Sequence, residues 1–149
     1  MKRTIKLVAL ALATVLLALS LFACGKEEEA TGTMTLVIGT EPEQAFTVNL
    51  DEVKITEGAL SVVKHLANQG KITYEIDATG YFNAVGGLKN DAASGTYIYI
   101  YTSIKKDFNT SAYASSKVWN GKTLTSSGVG ISDMTVSDGA VIYIGTIKW

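Results

Sequence analysis

The side chains able to do chemistry are few in this chain. Cys24 is the only cysteine, and it stands in Leu21-Phe22-Ala23-Cys24. A leucine three before, a small residue just before and then cysteine is the pattern cut by bacterial lipoprotein signal peptidase. The thiol is needed there because it receives the diacylglycerol, and cleavage leaves Cys24 as a lipidated N-terminus. Each CH2 of such a chain contributes about 0.8 kcal/mol of membrane binding. Tyr97, Tyr99 and Tyr101 alternate with Ile98 and Ile100 in a strict period of two. On a strand this puts the three phenols on one face. Aromatic rings with polar tips suit a flat ligand or a glycan. Trp119, further along, is placed to fold over them and close a groove, or to anchor its own loop.

The remaining chemistry is thin. His65 is the only histidine. It falls on the polar side of a helical pattern, with no cysteine, second histidine or carboxylate at ligand spacing, so no metal site is read. Nucleophilic catalysis needs a base beside the nucleophile, and no such arrangement is legible, so no enzyme is expected. No motif points to paired carboxylates. Gly128-Val129-Gly130 is too short for a dinucleotide loop and has no strand and helix around it.

Three segments must position these groups. Met1 to Ala23 has a basic start, an uncharged run from Leu7 to Ala23 and small residues at its end. That describes a secretory signal, residues 1–23. Residues 24–33 hold Lys26, Glu27, Glu28 and Glu29, and nothing apolar larger than Ala30. They read as a lipidated flexible tether that cannot bury enough surface to fold. Residues 34–149 read as one domain, long enough for a core of its own. Three of the 13 basic residues lie in the signal and all 14 acidic ones follow it, leaving a mature net charge of −4. An acidic chain without a basic cluster speaks against nucleic acid as partner.

Within the domain, the alternation of Met34, Leu36 and Ile38, then Phe46, Val48 and Leu50, predicts a hairpin around Glu41-Pro42-Glu43. Val53 and Ile55 extend its second strand. Ala59, Val62, Val63, Leu66 and Ala67 follow helical spacing, with Thr56 as the candidate cap and Gly70 as the stop. Ile72 to Ile76, Phe82 to Leu88 around Gly86-Gly87, Tyr97 to Tyr101 and Val141 to Ile147 read as strands. Thr102 to Ser127 reads as a long polar loop. The expected fold is α+β, a mixed sheet with one covering helix.

Thr56-Glu57-Gly58 entering the helix, Gly80-Tyr81-Phe82, Gly130-Ile131-Ser132-Asp133 and Asp138-Gly139 together resemble the transcobalamin-like C-terminal domains of bacterial surface lipoproteins. The run from Gly130 to Trp149 is similar to the end of the animal cobalamin carriers. The carriers' tryptophan–glutamine pair is replaced here by Tyr97 to Tyr101. The resemblance implies a β-grasp, ubiquitin-like domain over residues 34–149. It carries Gly130 and Ile131 over as ligand-side residues. It also implies cobalamin or another corrinoid as the bound ligand; no other cofactor is read. The expected function is a non-catalytic ligand-binding module on the extracytoplasmic face of the cell membrane, anchored through Cys24. Its site would be Tyr97, Tyr99, Tyr101, Trp119, Gly130 and Ile131. The alternative is a structural or adhesion module whose tyrosine face meets a surface protein or glycan. Partner transporter and oligomeric state are not legible.

Overall fold

A computed structural model describes residues 30–149. The signal segment, Cys24 and the first part of the tether lie outside the described residues. Residues 30–33, assigned above to the tether, belong to the fold. Ala30 packs on the core, the Gly32 carbonyl accepts from the Leu50 amide at 2.8 Å, and Thr33 opens the first strand, its amide donating to Asp138 Oδ1 at 2.8 Å.

The chain is α+β. In order come β1 (Thr33–Ile38), β2 (Gln44–Asn49), α1 (Leu60–Asn68), β3 (Tyr74–Ile76), β4 (Phe82–Val85), β5 (Leu88–Lys89), β6 (Thr96–Thr102), β7 (Ser116–Trp119), β8 (Lys122–Ser126) and β9 (Val141–Lys148). Six strands form a mixed sheet in the order β2-β1-β9-β6-β8-β7, and β3-β4-β5 form a small second sheet. β1 and β9 are parallel; the other ladders are antiparallel. The period of two assigns each strand two faces. Leu36, Ile38, Ile142 and Ile144 point to one side, where they bury against α1. Val37, Val141, Tyr143 and Tyr101 point to the other.

α1 forms because its apolar positions recur at helical spacing, and Leu60, Val62, Val63 and Leu66 are all buried. Each such side chain contributes about 1.5–3 kcal/mol through burial. The expected cap is corrected. Thr56 does not cap the helix; its own amide donates to Ser61 Oγ at 3.0 Å, as the Glu57 amide does at 2.9 Å. The first amides of the helix are satisfied from far away. Ala59 N–H donates to the Met134 carbonyl and Leu60 N–H to that of Ile131, both at 3.1 Å. Gly58 permits this approach. It has φ +45°, and a Cβ there would lie 2.5 Å from the Met134 carbonyl oxygen.

Two other expectations differ from the structure. After Asn49 the chain turns into a short 3-10 segment, Leu50–Glu52, with the Asn49 side chain accepting from the Asp51 amide. Val53 and Ile55 then enter the main core rather than extending β2. The segment read as one loop from Thr102 to Ser127 contains the β7–β8 hairpin. Its turn is Asn120-Gly121, with φ of 45° and 75°. Asn-Gly between two strands is a two-residue hairpin signal, and it stood in the sequence.

Candidate functional site

The hairpin decides what becomes of the tyrosine stripe. β8 pairs with β6 only at Tyr101 and Thr102. From there the hairpin curls over the far face of the sheet, burying Leu124 against Val37, Tyr101, Val141 and Tyr143. Trp119 packs against this cluster, as does Tyr99. The phenols are therefore graded along one strand rather than forming an open platform. Tyr101 is buried, Tyr99 is half-buried and Tyr97 is 38% exposed. Tyr99 meets Tyr101 edge-on at 5.4 Å, and Tyr101 meets Tyr143 edge-on at 6.3 Å. Tyr101 thus packs beneath the hairpin, and Trp119, the last residue of β7, packs from the hairpin onto the same cluster.

The open part of β6 lies before Tyr101. Residues 97–100 have β9 on one side and no strand on the other. A cleft of about 370 Å3 runs along that free edge. Because it follows the edge rather than a face, Tyr97, Ile98, Tyr99 and Ile100 all line it. Gly80, Tyr81 and Phe82 form one wall, and Val129, Gly130 and Ile131 the other. Of the six residues expected at the site, the structure brings Tyr97, Tyr99, Gly130 and Ile131 to this cleft and leaves Tyr101 and Trp119 outside it. Phe82, Ile98, Ile100 and Val129 escaped the sequence reading. Alternation sets Ile98 and Ile100 on the face away from the tyrosines, and nothing in the sequence says where a sheet edge is left open.

The edge is chemically specific. Ile98 N–H donates to Asn90 Oδ1 at 2.7 Å, and Asn90 Nδ2 donates to the Phe82 carbonyl at 2.8 Å. The Ile100 carbonyl accepts from the Ser127 amide at 2.8 Å. Alternation along the strand turns the Ile98 carbonyl and the Ile100 amide toward the same side. The cleft thus combines an apolar lining with a main-chain acceptor and donor, and no acidic, basic or histidine side chain lines it.

The mouth is organised by Asp77. Its Oδ1 accepts from Thr79 N–H at 2.8 Å, Thr79 Oγ1 at 2.6 Å and Tyr81 N–H at 3.0 Å. The Thr79 hydroxyl and then the Tyr81 amide hold this carboxyl below its usual pKa. The loop presents Tyr81, 70% exposed, at the cleft's rim. Ile131 serves two structures at once: its side chain is buried in the core and lines the cleft, while its carbonyl holds the start of α1.

His65 sits half-buried on α1, its Nε2 2.8 Å from Gln69 Nε2. No group of three or more His, Cys, Asp or Glu side chains among the described residues is placed to hold a metal ion. Nor is any helix among them long and apolar enough to cross a membrane.

No protein-family model and no curated protein matches the chain. Among solved structures it is similar to a protein from Ruminococcus gnavus ATCC 29149 that has been proposed to bind metal. The identity is 16%, the TM-score 0.46, and the match covers 81% of this chain and 99% of that one.

Proposed function

We propose that this chain is a non-catalytic ligand-binding module and that the cleft along the free edge of β6 is its site. The observation that carries the reading is the cleft's composition: Phe82, Ile98, Ile100 and Ile131 around two main-chain polar groups, with no charged side chain. An apolar concavity with a few fixed polar groups is the usual form of a small-molecule site, and roughly 300–1,000 Å3 is the usual size. Such a site takes a neutral, largely apolar ligand with an amide or similar group at its edge. A corrinoid is larger and more polar than the cleft itself, so it would seat one edge of its flat ring there, with a peripheral amide on the two main-chain groups. The sequence resemblance to transcobalamin-like domains favours corrinoids, and with them a β-grasp reading of the fold. Lipidation of Cys24 would hold the module on the extracytoplasmic face of the cell membrane. Cobalamin is thus proposed as cargo, not as a catalytic cofactor.

Titration of the protein with cobinamide and cobalamin, followed by calorimetry, tests this. Saturable heat that is lost in Tyr81→Ala and Val129→Ser, two exposed positions whose change leaves the core intact, supports the reading. Absence of heat at high micromolar corrinoid removes the corrinoid proposal. Heat unchanged in both variants removes the cleft as its site. For the anchor, a Cys24→Ser chain is expected to lack the mass of the lipid and to keep its signal segment uncleaved, both read by mass spectrometry.

A further inference from the structure

A second cavity, of about 350 Å3, lies on the opposite face of the sheet. Its floor is the Tyr143 ring. Two glycines clear the space for that ring: a Cβ at Gly39 would lie 2.3 Å from the Tyr143 hydroxyl oxygen, and one at Gly145 would lie 2.8 Å from Cε1. Lying across these positions, the buried ring reaches Glu43 in the β1–β2 connection, and its hydroxyl donates to Glu43 Oε1 at 2.6 Å. Lys117, from the curled hairpin, stands above, its Nζ 4.3 Å from the ring centre. Glu41 and Thr146 complete the rim, with Tyr101 beside them.

The charges in this cavity are held apart. Glu43 is engaged by the phenol and Lys117 by the ring face, and neither forms an ion pair among the described residues. Two carboxylates and one ammonium therefore share a hollow without closing on each other. An isolated cation entering it meets Lys117, and an isolated anion meets Glu41 and Glu43. An apolar ligand would strip water from all three without replacing it. A zwitterion gains little here, because Glu41 and Glu43 are exposed and ion pairs with them are screened by water. A polyol brings no charge, and each hydroxyl both donates and accepts. Vicinal hydroxyls can donate to a carboxylate and accept from an ammonium at once. We propose that this cavity binds a neutral polyhydroxylated ligand, a saccharide, independently of whatever occupies the cleft on β6.

The test is amide NMR on the full chain. The probes are methyl α-glucoside, methyl α-galactoside and N-acetylglucosamine, with alanine as a zwitterionic control. Saturating shifts at Gly39, Lys117 and Gly145 are expected with at least one sugar, while Phe82 and Val129 stay still. In Lys117→Met and Glu41→Gln the apparent Kd should rise about tenfold, the loss expected for one charge-assisted hydrogen bond. Unmoved α1 amides confirm that both variants are folded. No shift with any sugar at high millimolar concentration overturns the proposal. So do shifts confined to the β6 cleft, shifts with alanine alone, or affinities unchanged in both variants.

Discussion

The two faces of the six-stranded sheet are covered in different ways, and their cavities differ accordingly. One face is closed by α1 and the small sheet, elements brought in whole, and the core there runs from Met34 to Ile144. The other is closed by an extension of the same sheet, the β7–β8 hairpin curling back over Val37, Tyr101, Val141 and Tyr143. Where the separate cover stops short, at the edge of β6, the opening is apolar and uncharged. Where the curled cover stops short, the opening has Glu41, Glu43 and Lys117 on its rim. Of these, Lys117 comes from the hairpin, while Glu41 and Glu43 come from the β1–β2 connection, whose exposed residues stay in water beside the gap. An amphipathic helix turns its polar residues away from the sheet altogether.

The sharpest test of this contrast compares truncations under the two covers. Ile142→Ala, beneath α1, is expected to cost about 3–5 kcal/mol, at the upper end for core truncations. Leu124→Ala, beneath the hairpin, is expected to cost about 2–3 kcal/mol, because a hairpin can settle into the void more readily than a helix fixed at its start. Equal losses in urea unfolding would mean that the hairpin is as firmly seated as the helix.

Next come the glycines that let each cover approach. Gly58→Ala combines a left-handed φ with a collision against two carbonyl oxygens and should cost about 2–4 kcal/mol, by strain and overpacking together. Gly145→Ala collides only with the Tyr143 ring and should cost about 1–3 kcal/mol. Thermal unfolding ranks the two. The reverse order would place the more rigid cover on the hairpin side.

A smaller effect separates the faces by pH. Burial, then the hydrogen bond and charge of Glu43, push the Tyr143 phenol above its ordinary value of 10.0. Its folded pKa thus exceeds its unfolded one, so its contribution is complete below pH 10.0 and is lost as the pH rises toward the folded value. Stability should fall above that pH in the parent and fall less in Tyr143→Phe, read as denaturant midpoints across the alkaline range. Parallel curves would sever the phenol from the stability of this face.

The smallest change is local. Asp77 is held below its usual pKa of 3.8, so its grip on the Tyr81 loop persists above that value and is lost as the pH falls through the lower folded one. The protection factor of the Tyr81 amide, its slowing relative to an unstructured amide at the same pH, should fall in acid, and in Asp77→Ala it should be low at every pH. Global unfolding should be unaffected. An amide already unprotected in the parent at neutral pH would show that the loop is not held.

Much of this was legible from local pattern. The β1–β2 hairpin, α1, the Gly86-Gly87 turn and β9 all follow from periods of 2 and 3.6 and from glycine's access to positive φ. The Asn120-Gly121 turn was legible too, but was lost in a stretch of Ser, Thr and Lys that reads as loop. Thr56 failed as a cap because two carbonyls some 75 residues away satisfy the helix start instead, and sequence spacing carries no trace of them.

The sites divide in the same way. Alternation alone put Tyr97, Tyr99 and Tyr101 on one side of a strand, because side chains there have a period of two. Whether that side is open depends on how far β8 follows β6, and it stops at Tyr101. Gly130 and Ile131 reach the cleft because their loop also holds the start of α1. Glu43, Lys117 and Tyr143 come from three elements, and Tyr143 lies 100 residues from Glu43. The sequence by itself determined which residues alternate, which turn and which are apolar, since those are properties of neighbours along the chain. Only the tertiary structure decided which edge stayed open and which charges met around a common hollow, since both depend on the packing of segments distant in sequence.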